Sequence, residues 1–161
     1  MSLFPFTVPP ATISAARLTL TLPVPPSINH QYATVNGRRI LSAAGRRYKT
    51  DVGRQILAVL ARAPEREALL RTLRAGYLAL TIHFNFPAPL RRDVDGGLKI
   101  TQDALCEALG LNDSRIVEIH LFKTLDPASS RIEVSLAPTI PTRERAKSWP
   151  RLHPFDSRFP P

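Results

Sequence analysis

Residues 75–86 alternate almost without fault, and that run constrains the rest of the chain. Leu78, Leu80, Ile82, Phe84 and Phe86 fall on one side of an extended backbone, and Tyr77, Ala79, Thr81, His83 and Asn85 on the other. Successive side chains of a strand point to opposite faces, so the pattern predicts a half-buried strand whose apolar face needs a covering layer. Pro87 and Pro89 close it. A cover is available upstream. Tyr48, Val52, Ile56, Val59, Leu60 and Ala63 recur at intervals of three or four, the spacing of one helical face. Arg47, Asp51, Arg54, Ala58 and Arg62 occupy the opposite face. Ser42 stands where an N-cap is needed, and Pro64 ends or kinks the helix.

A second helix is predicted over residues 97–109, with Leu98, Ile100, Ala104, Leu105, Ala108 and Leu109 as its apolar positions. Gly110 then supplies the left-handed residue that terminates many helices. Residues 17–22, 116–122 and 131–137 read as further strands. Asn36-Gly37, inside residues 32–42, predicts a hairpin, because a type I′ turn needs positive φ at both central positions. The segment EREALLRTLR adds a short helical turn or two.

Proline marks the domain limits. Of 16 prolines, six fall in residues 1–26 and six in residues 138–161. Residues 17–137 are therefore expected to form the folded domain, between a flexible arm at 1–16 and a Pro/Arg-rich tail at 138–161. No run of 18 apolar residues predicts a membrane span. The sequence MSLFPFTVPP lacks the basic and apolar regions of a signal peptide. A single cysteine, Cys106, excludes an internal disulfide and a cysteine-rich zinc site, and fits a reducing cytoplasm. His30, His83, His120 and His153 are scattered without metal-ligand spacing, and there is no phosphate-cradling glycine loop.

Charge is unevenly distributed. Lys plus Arg is 22 against 13 Asp plus Glu, a net +9 that points to a polyanion, nucleic acid before membrane. Residues 1–92 hold 13 basic and 3 acidic side chains, whereas residues 93–137 hold 4 basic and 8 acidic. Carboxylates gathered in a nucleic-acid binder repel phosphate unless something neutralises them, and a divalent cation is the usual answer.

The sharpest local feature is Arg91-Arg92-Asp93-Val94-Asp95. In extended backbone, residues two apart point the same way, so Asp93 and Asp95 would present two carboxylates together. Two aspartates in a turn are also common without any metal. A third acid, Asp113, lies beyond the predicted helix, which is roughly 20 Å long. Only a chain reversal after Gly110 could return it. Lys99, four residues after Asp95, could face a phosphate, or could simply pair with Asp103 one helical turn on.

Four blocks in order make the chain resemble the RusA family of Holliday junction resolvases over residues 18–136. LTLPVPPSINHQY resembles that family's first strand and its Pro-Pro-Ser-x-Asn loop, matched by Pro25, Pro26, Ser27 and Asn29. ILSAAGRRYK resembles the lead into its first long helix. RRDVDGGLKITQDAL resembles the signature D-x-D-N-x-x-K, and GLNDSRIVEIHLFK resembles the segment carrying a third aspartate and a strand ending in Lys. One departure stands out: Gly96 replaces the usual Asn.

The resemblance implies an α+β fold, a compact mixed sheet with two main helices, forming a homodimer with two active sites that nicks opposing strands of four-way DNA junctions in recombination and repair. Asp93, Asp95 and Asp113 match the metal-binding catalytic acids and Lys99 the catalytic lysine, with Mg²⁺ as cofactor and Mn²⁺ able to substitute. Arg38, Arg39, Arg46, Arg47, Arg91, Arg92 and Lys123 are candidates for backbone contacts, which position DNA without reading bases. A non-catalytic module binding branched DNA, and a less selective flap or fork nuclease, are the alternatives.

Overall fold

The structure is a computed structural model and describes residues 11–88 and 93–140. Seven strands and four helices follow in the order β1 (Ala11–Ser14), β2 (Arg17–Leu22), α1 (Ile28–Gln31), β3 (Tyr32–Val35), β4 (Arg38–Leu41), α2 (Ala43–Arg62), α3 (Arg66–Ala75), β5 (Tyr77–Phe86), α4 (Leu98–Leu109), β6 (Ile116–Leu125) and β7 (Arg131–Thr139). A 3₁₀ turn, Asp113–Arg115, precedes β6. The class is mixed α+β, as expected.

The main sheet has the order β1-β2-β7-β5-β6. β5 runs parallel to β6 and antiparallel to β7. Register places the apolar residues of three strands in rows: Leu18, Leu136 and Leu80; Leu20, Val134 and Ile82; Leu22, Ile132 and Phe84. All nine are buried. The alternation thus predicts the correct face of β5. Along the opposite face, Thr19, Ser135 and Thr81 form a polar row that is half-exposed.

The helices supply the cover. Tyr48, Val52, Ile56, Val59 and Leu60 of α2 are buried, and Ile100, Ala104, Leu105 and Leu109 of α4 join the same core. Tyr48 Oη lies 3.1 Å from Thr101 Oγ1, a buried hydrogen bond between these two helices. Burying a hydroxyl is tolerable only when it is paired, so this contact also fixes how the helices face each other. Ser42 caps α2 by accepting from the Gly45 N–H at 3.0 Å. Gly110 ends α4 at φ 62°, ψ 43°. Asn36 and Gly37, at φ 51° and 74°, form the turn between β3 and β4.

Four expectations need correction. Ala11–Ser14, placed in a flexible arm, is an edge strand antiparallel to β2; residues 1–10 lie outside the described residues. Strand β7 continues through Pro138 and Thr139 into the segment read as tail, and residues 141–161 are likewise outside. The segment after Pro64 forms a ten-residue helix, because Leu69 and Leu73 provide a buried stripe. β6 extends past Phe122 to Leu125, held by parallel pairing with β5.

Candidate active site

The candidate acids lie in the crossover that connects β5 to its parallel neighbour β6. After β5, Asp93–Gly97 forms a compact turn in which the Gly96 N–H donates to Asp93 O at 3.1 Å and the Leu98 N–H to Asp95 O at 2.9 Å. The second bond leads directly into α4. Asp93 and Asp95 are both exposed, and among the described residues neither takes part in an ion pair. Arg91 and Arg92 lie outside the described residues.

Two buried contacts hold this turn from behind. Gln31, 1% exposed at the end of α1, donates through Nε2 to Pro26 O at 2.9 Å and to Gly96 O at 2.7 Å. A Cβ built on Gly97 would fall inside 3.0 Å of Pro25 Cγ and 3.1 Å from Phe84 Cε1. The Pro-Pro-Ser-x-Asn loop is therefore a structural backing for the Asp-x-Asp turn. α1 is in turn docked on α2, because the Ser42 N–H donates to Gln31 O at 2.9 Å and the Ser42 hydroxyl to His30 O at 2.5 Å.

The chain reversal that the third acid requires is present. At Gly110 the backbone turns left-handed, and the Leu111 N–H donates to Cys106 O at 2.8 Å. Asn112 then caps the 3₁₀ turn by accepting from the Ser114 N–H at 3.0 Å. This returns Asp113 to the side of α4. Lys99 Nζ meets Asp103 Oδ1 at 2.6 Å and Asp113 Oδ2 at 3.1 Å. Lys99 thus pairs with Asp103, as the i,i+4 spacing allows, and also reaches the third acid. Asp103 is the residue that sequence reasoning set aside, and its i,i+4 spacing was the available signal.

The hydrogen bonds that Lys99 donates to Asp103 and then Asp113 raise its pKa, against the opposing effect of burial. A depression beside Lys99 is lined by Lys49, Asp103, Glu107, Asn112 and Asp113. Lys49 bridges Glu107, so lysines partly compensate this acidic pocket. Cys106 borders it and is buried; burial, then the nearby Asp113 and Asp103 charges, push its thiol up to about 11. It is a packing residue among the buried side chains of α4.

The structure brings Asp113, Lys99 and Asp103 together and places Asp93 and Asp95 in the turn just before Lys99. Among the described residues, no group of three His, Cys, Asp or Glu side chains is arranged to hold a metal ion. Of the proposed DNA contacts, Arg38, Arg39, Arg46, Arg47 and Lys123 are all exposed. Arg38 and Arg39 lie on β4, with the Arg39 guanidinium stacked 4.3 Å from the Tyr32 ring centroid. Arg46 donates to Leu41 O at 2.6 Å, at the junction of hairpin and α2.

The chain is similar to known endodeoxyribonucleases over most of its length. A family model described as endodeoxyribonuclease RusA matches residues 23–137. The crossover junction endodeoxyribonuclease RusA of Escherichia coli K12 is 31% identical over 119 residues, which span 73% of this chain and 92% of that relative. The namesake from Shigella sonnei gives the same values. That of Enterobacteria phage 82 is 30% identical over 118 residues, 73% of this chain and 91% of the phage protein.

Proposed function

We propose, from the premise that this chain belongs to the RusA family of endodeoxyribonucleases, that it resolves Holliday junctions by paired nicking of opposing strands. Asp93, Asp95 and Asp113 would hold Mg²⁺, with Mn²⁺ able to substitute. The observation that carries the catalytic reading is the Lys99 bridge to Asp113. It joins the third acid to the helix that starts from the Asp-x-Asp turn, although 14 residues separate the two in sequence.

The donor chemistry fits a hard cation. All three candidates are carboxylates, and Asp93 and Asp95 stand in solvent without a described cationic partner, as ligands for a partly hydrated Mg²⁺ should. When bound, such an ion lowers the pKa of its water and offsets charge on the phosphate. The remaining work belongs to the chain. Lys99 is an ammonium at neutral pH, as an ordinary lysine is, and Asp103 and Asp113 raise its pKa further. It is exposed beside the acids, where it would stabilise negative charge developing on the scissile phosphate. Asp103 would anchor that ammonium from the α4 side.

The basic side chains would track the sugar-phosphate backbone. Arg38 and Arg39 project on the β3–β4 hairpin, and Arg46 and Arg47 begin α2. Arg91 and Arg92 adjoin the Asp-x-Asp turn in sequence. Lys123 lies on β6.

Two incisions on a near two-fold substrate suit a two-fold enzyme. β6 is an outer strand of the sheet, and Val117, Ile119, Phe122 and Leu125 on it are exposed. An apolar outer strand of this kind supports edge pairing between two copies. The expected setting is the bacterial or phage-infected cytoplasm, at the nucleoid. No helix of the described residues is long and apolar enough to cross a membrane.

The decisive assay is cleavage of a synthetic four-way junction in Mg²⁺ and in EDTA, alongside forked, flapped and linear duplexes. Symmetric nicks confined to the four-way substrate are expected. Equal cutting of forks would instead make the chain a less selective nuclease. Asp93→Asn and Asp95→Asn should abolish cutting while junction binding survives; near-normal cutting by either would remove the metal-site assignment.

A further inference from the structure

Gln31 is unusual among the buried side chains. It is 1% exposed, yet it is a long polar residue, and its Oε1 is buried without a hydrogen-bond partner. A buried amide left half satisfied is unfavourable compared with an apolar side chain of the same shape. Its other end explains why such a residue is useful. Nε2 holds Pro26 O and Gly96 O together, a link across 65 residues of sequence between the proline loop and the Asp-x-Asp turn. Gly96 directly follows Asp95 and lies three residues before Lys99. It also has no side chain with which to anchor itself.

We propose that Gln31 is a positioning residue for cleavage: its amide fixes the Gly96 carbonyl and thereby the aim of Asp93, Asp95 and Lys99. The inference rests on the active-site reading above. It assigns to Gln31 the anchoring that a side chain at position 96 cannot supply in this chain. The amide works from behind the turn, buried away from the exposed carboxylates, so it neither touches DNA nor donates a ligand. Its removal should therefore loosen the site without weakening substrate binding. Groups that orient catalytic carboxylates in this indirect way typically alter metal affinity or activity by about 10–100-fold.

The test uses the full chain with Gln31→Met, which keeps the shape and loses the donor. Gln31→Asn, which keeps an amide that is one methylene too short, is the second variant. Four readouts are compared with wild type: thermal unfolding, junction affinity, single-turnover cleavage rate, and Mn²⁺ binding by calorimetry in the absence of DNA. The expected result is a cleavage rate lowered about 10–100-fold, junction affinity within twofold, and weaker Mn²⁺ binding by folded protein. A merely structural Gln31 would lower the melting temperature and leave rate and Mn²⁺ affinity of the folded fraction unchanged; that outcome in either folded variant overturns the proposal. Asp95→Asn is run in parallel. If it cuts normally, the active-site reading has failed; if it is dead while both Gln31 variants cut normally, only the role of Gln31 has failed.

Discussion

Replacing Gly97 with alanine adds one methyl group where three parts of the molecule meet. The new Cβ would sit inside 3.0 Å of Pro25 Cγ and 3.1 Å from Phe84 Cε1. Carbon atoms pack comfortably at about 3.5–4.0 Å, so the proline loop, β5 or the Asp-x-Asp turn must shift by something approaching an ångström. Neither a proline ring nor a buried strand moves easily. Overpacking of this kind costs about 1–3 kcal/mol, or roughly 4–11 °C in melting temperature for a domain of this size. The turn is the softest of the three parts, and Asp95 is two residues away. Misplacing a catalytic group by about 1 Å can cost about 100-fold in rate. Backbone strain does not contribute, because Gly97 has φ −116° and ψ −1°, a conformation open to alanine. The control is Gly53→Ala in α2, where nothing lies within 4 Å of the added Cβ. It should gain about 0.5–1 kcal/mol from helix propensity and cut junctions normally. Scanning calorimetry and single-turnover cleavage of both variants check the argument. A Gly97→Ala protein that melts and cuts like wild type would refute the packing of the proline loop against the turn.

Lys99→Ala should reduce turnover by about 100–1,000-fold with little change in junction affinity; a selective loss of affinity would make Lys99 an anchoring residue only. Because the Lys99 pKa is raised, its charge is complete below the ordinary lysine value and is lost only as pH climbs through the folded value. Wild-type cleavage between pH 6 and pH 9 should then show no inflection that Lys99→Arg abolishes. Cys106, with its thiol pushed up to about 11, should resist a thiol reagent at pH 8 until denaturant is added. Its neutral form is favoured in the fold, so its contribution falls as pH rises from about 9 towards 11, and Cys106→Ala should flatten that part of the stability profile. Junction binding should weaken steeply with salt. Arg38→Ala combined with Arg39→Ala should reduce the log–log slope by about 2; an unchanged slope would remove the hairpin from the DNA contacts.

Features set by neighbouring residues were legible in the sequence. The alternation of β5, the stripe of α2, the Asn36-Gly37 turn and the Gly110 cap each follow from local periodicity or φ, and each is present. β1 was not legible, because Ala11–Ser14 is short and largely exposed and exists through its pairing with β2. The length of α3 was hidden by Pro64, although Leu69 and Leu73 carried its signal at a spacing of four. At the site, residue types and order gave the candidate acids and Lys99. Spacing could not give the Lys99–Asp113 contact, which depends on how tightly the backbone reverses after Gly110. Nor could it give Gln31 to Gly96, a partnership created by docking α1 and the proline loop against the turn.

β7, the last strand among the described residues, occupies the middle of the sheet, between β2 and β5. Leu18 faces Leu136 across that pairing. Strand β2 therefore leaves the ribosome with β1 as its only available partner, and the sheet closes only after β7 has emerged. Such long-range closure is slow, because loop entropy is lost before contacts compensate for it. For an endodeoxyribonuclease, this order of assembly means that prematurely terminated chains lack a completed sheet on which the crossover could bring Lys99 to Asp113.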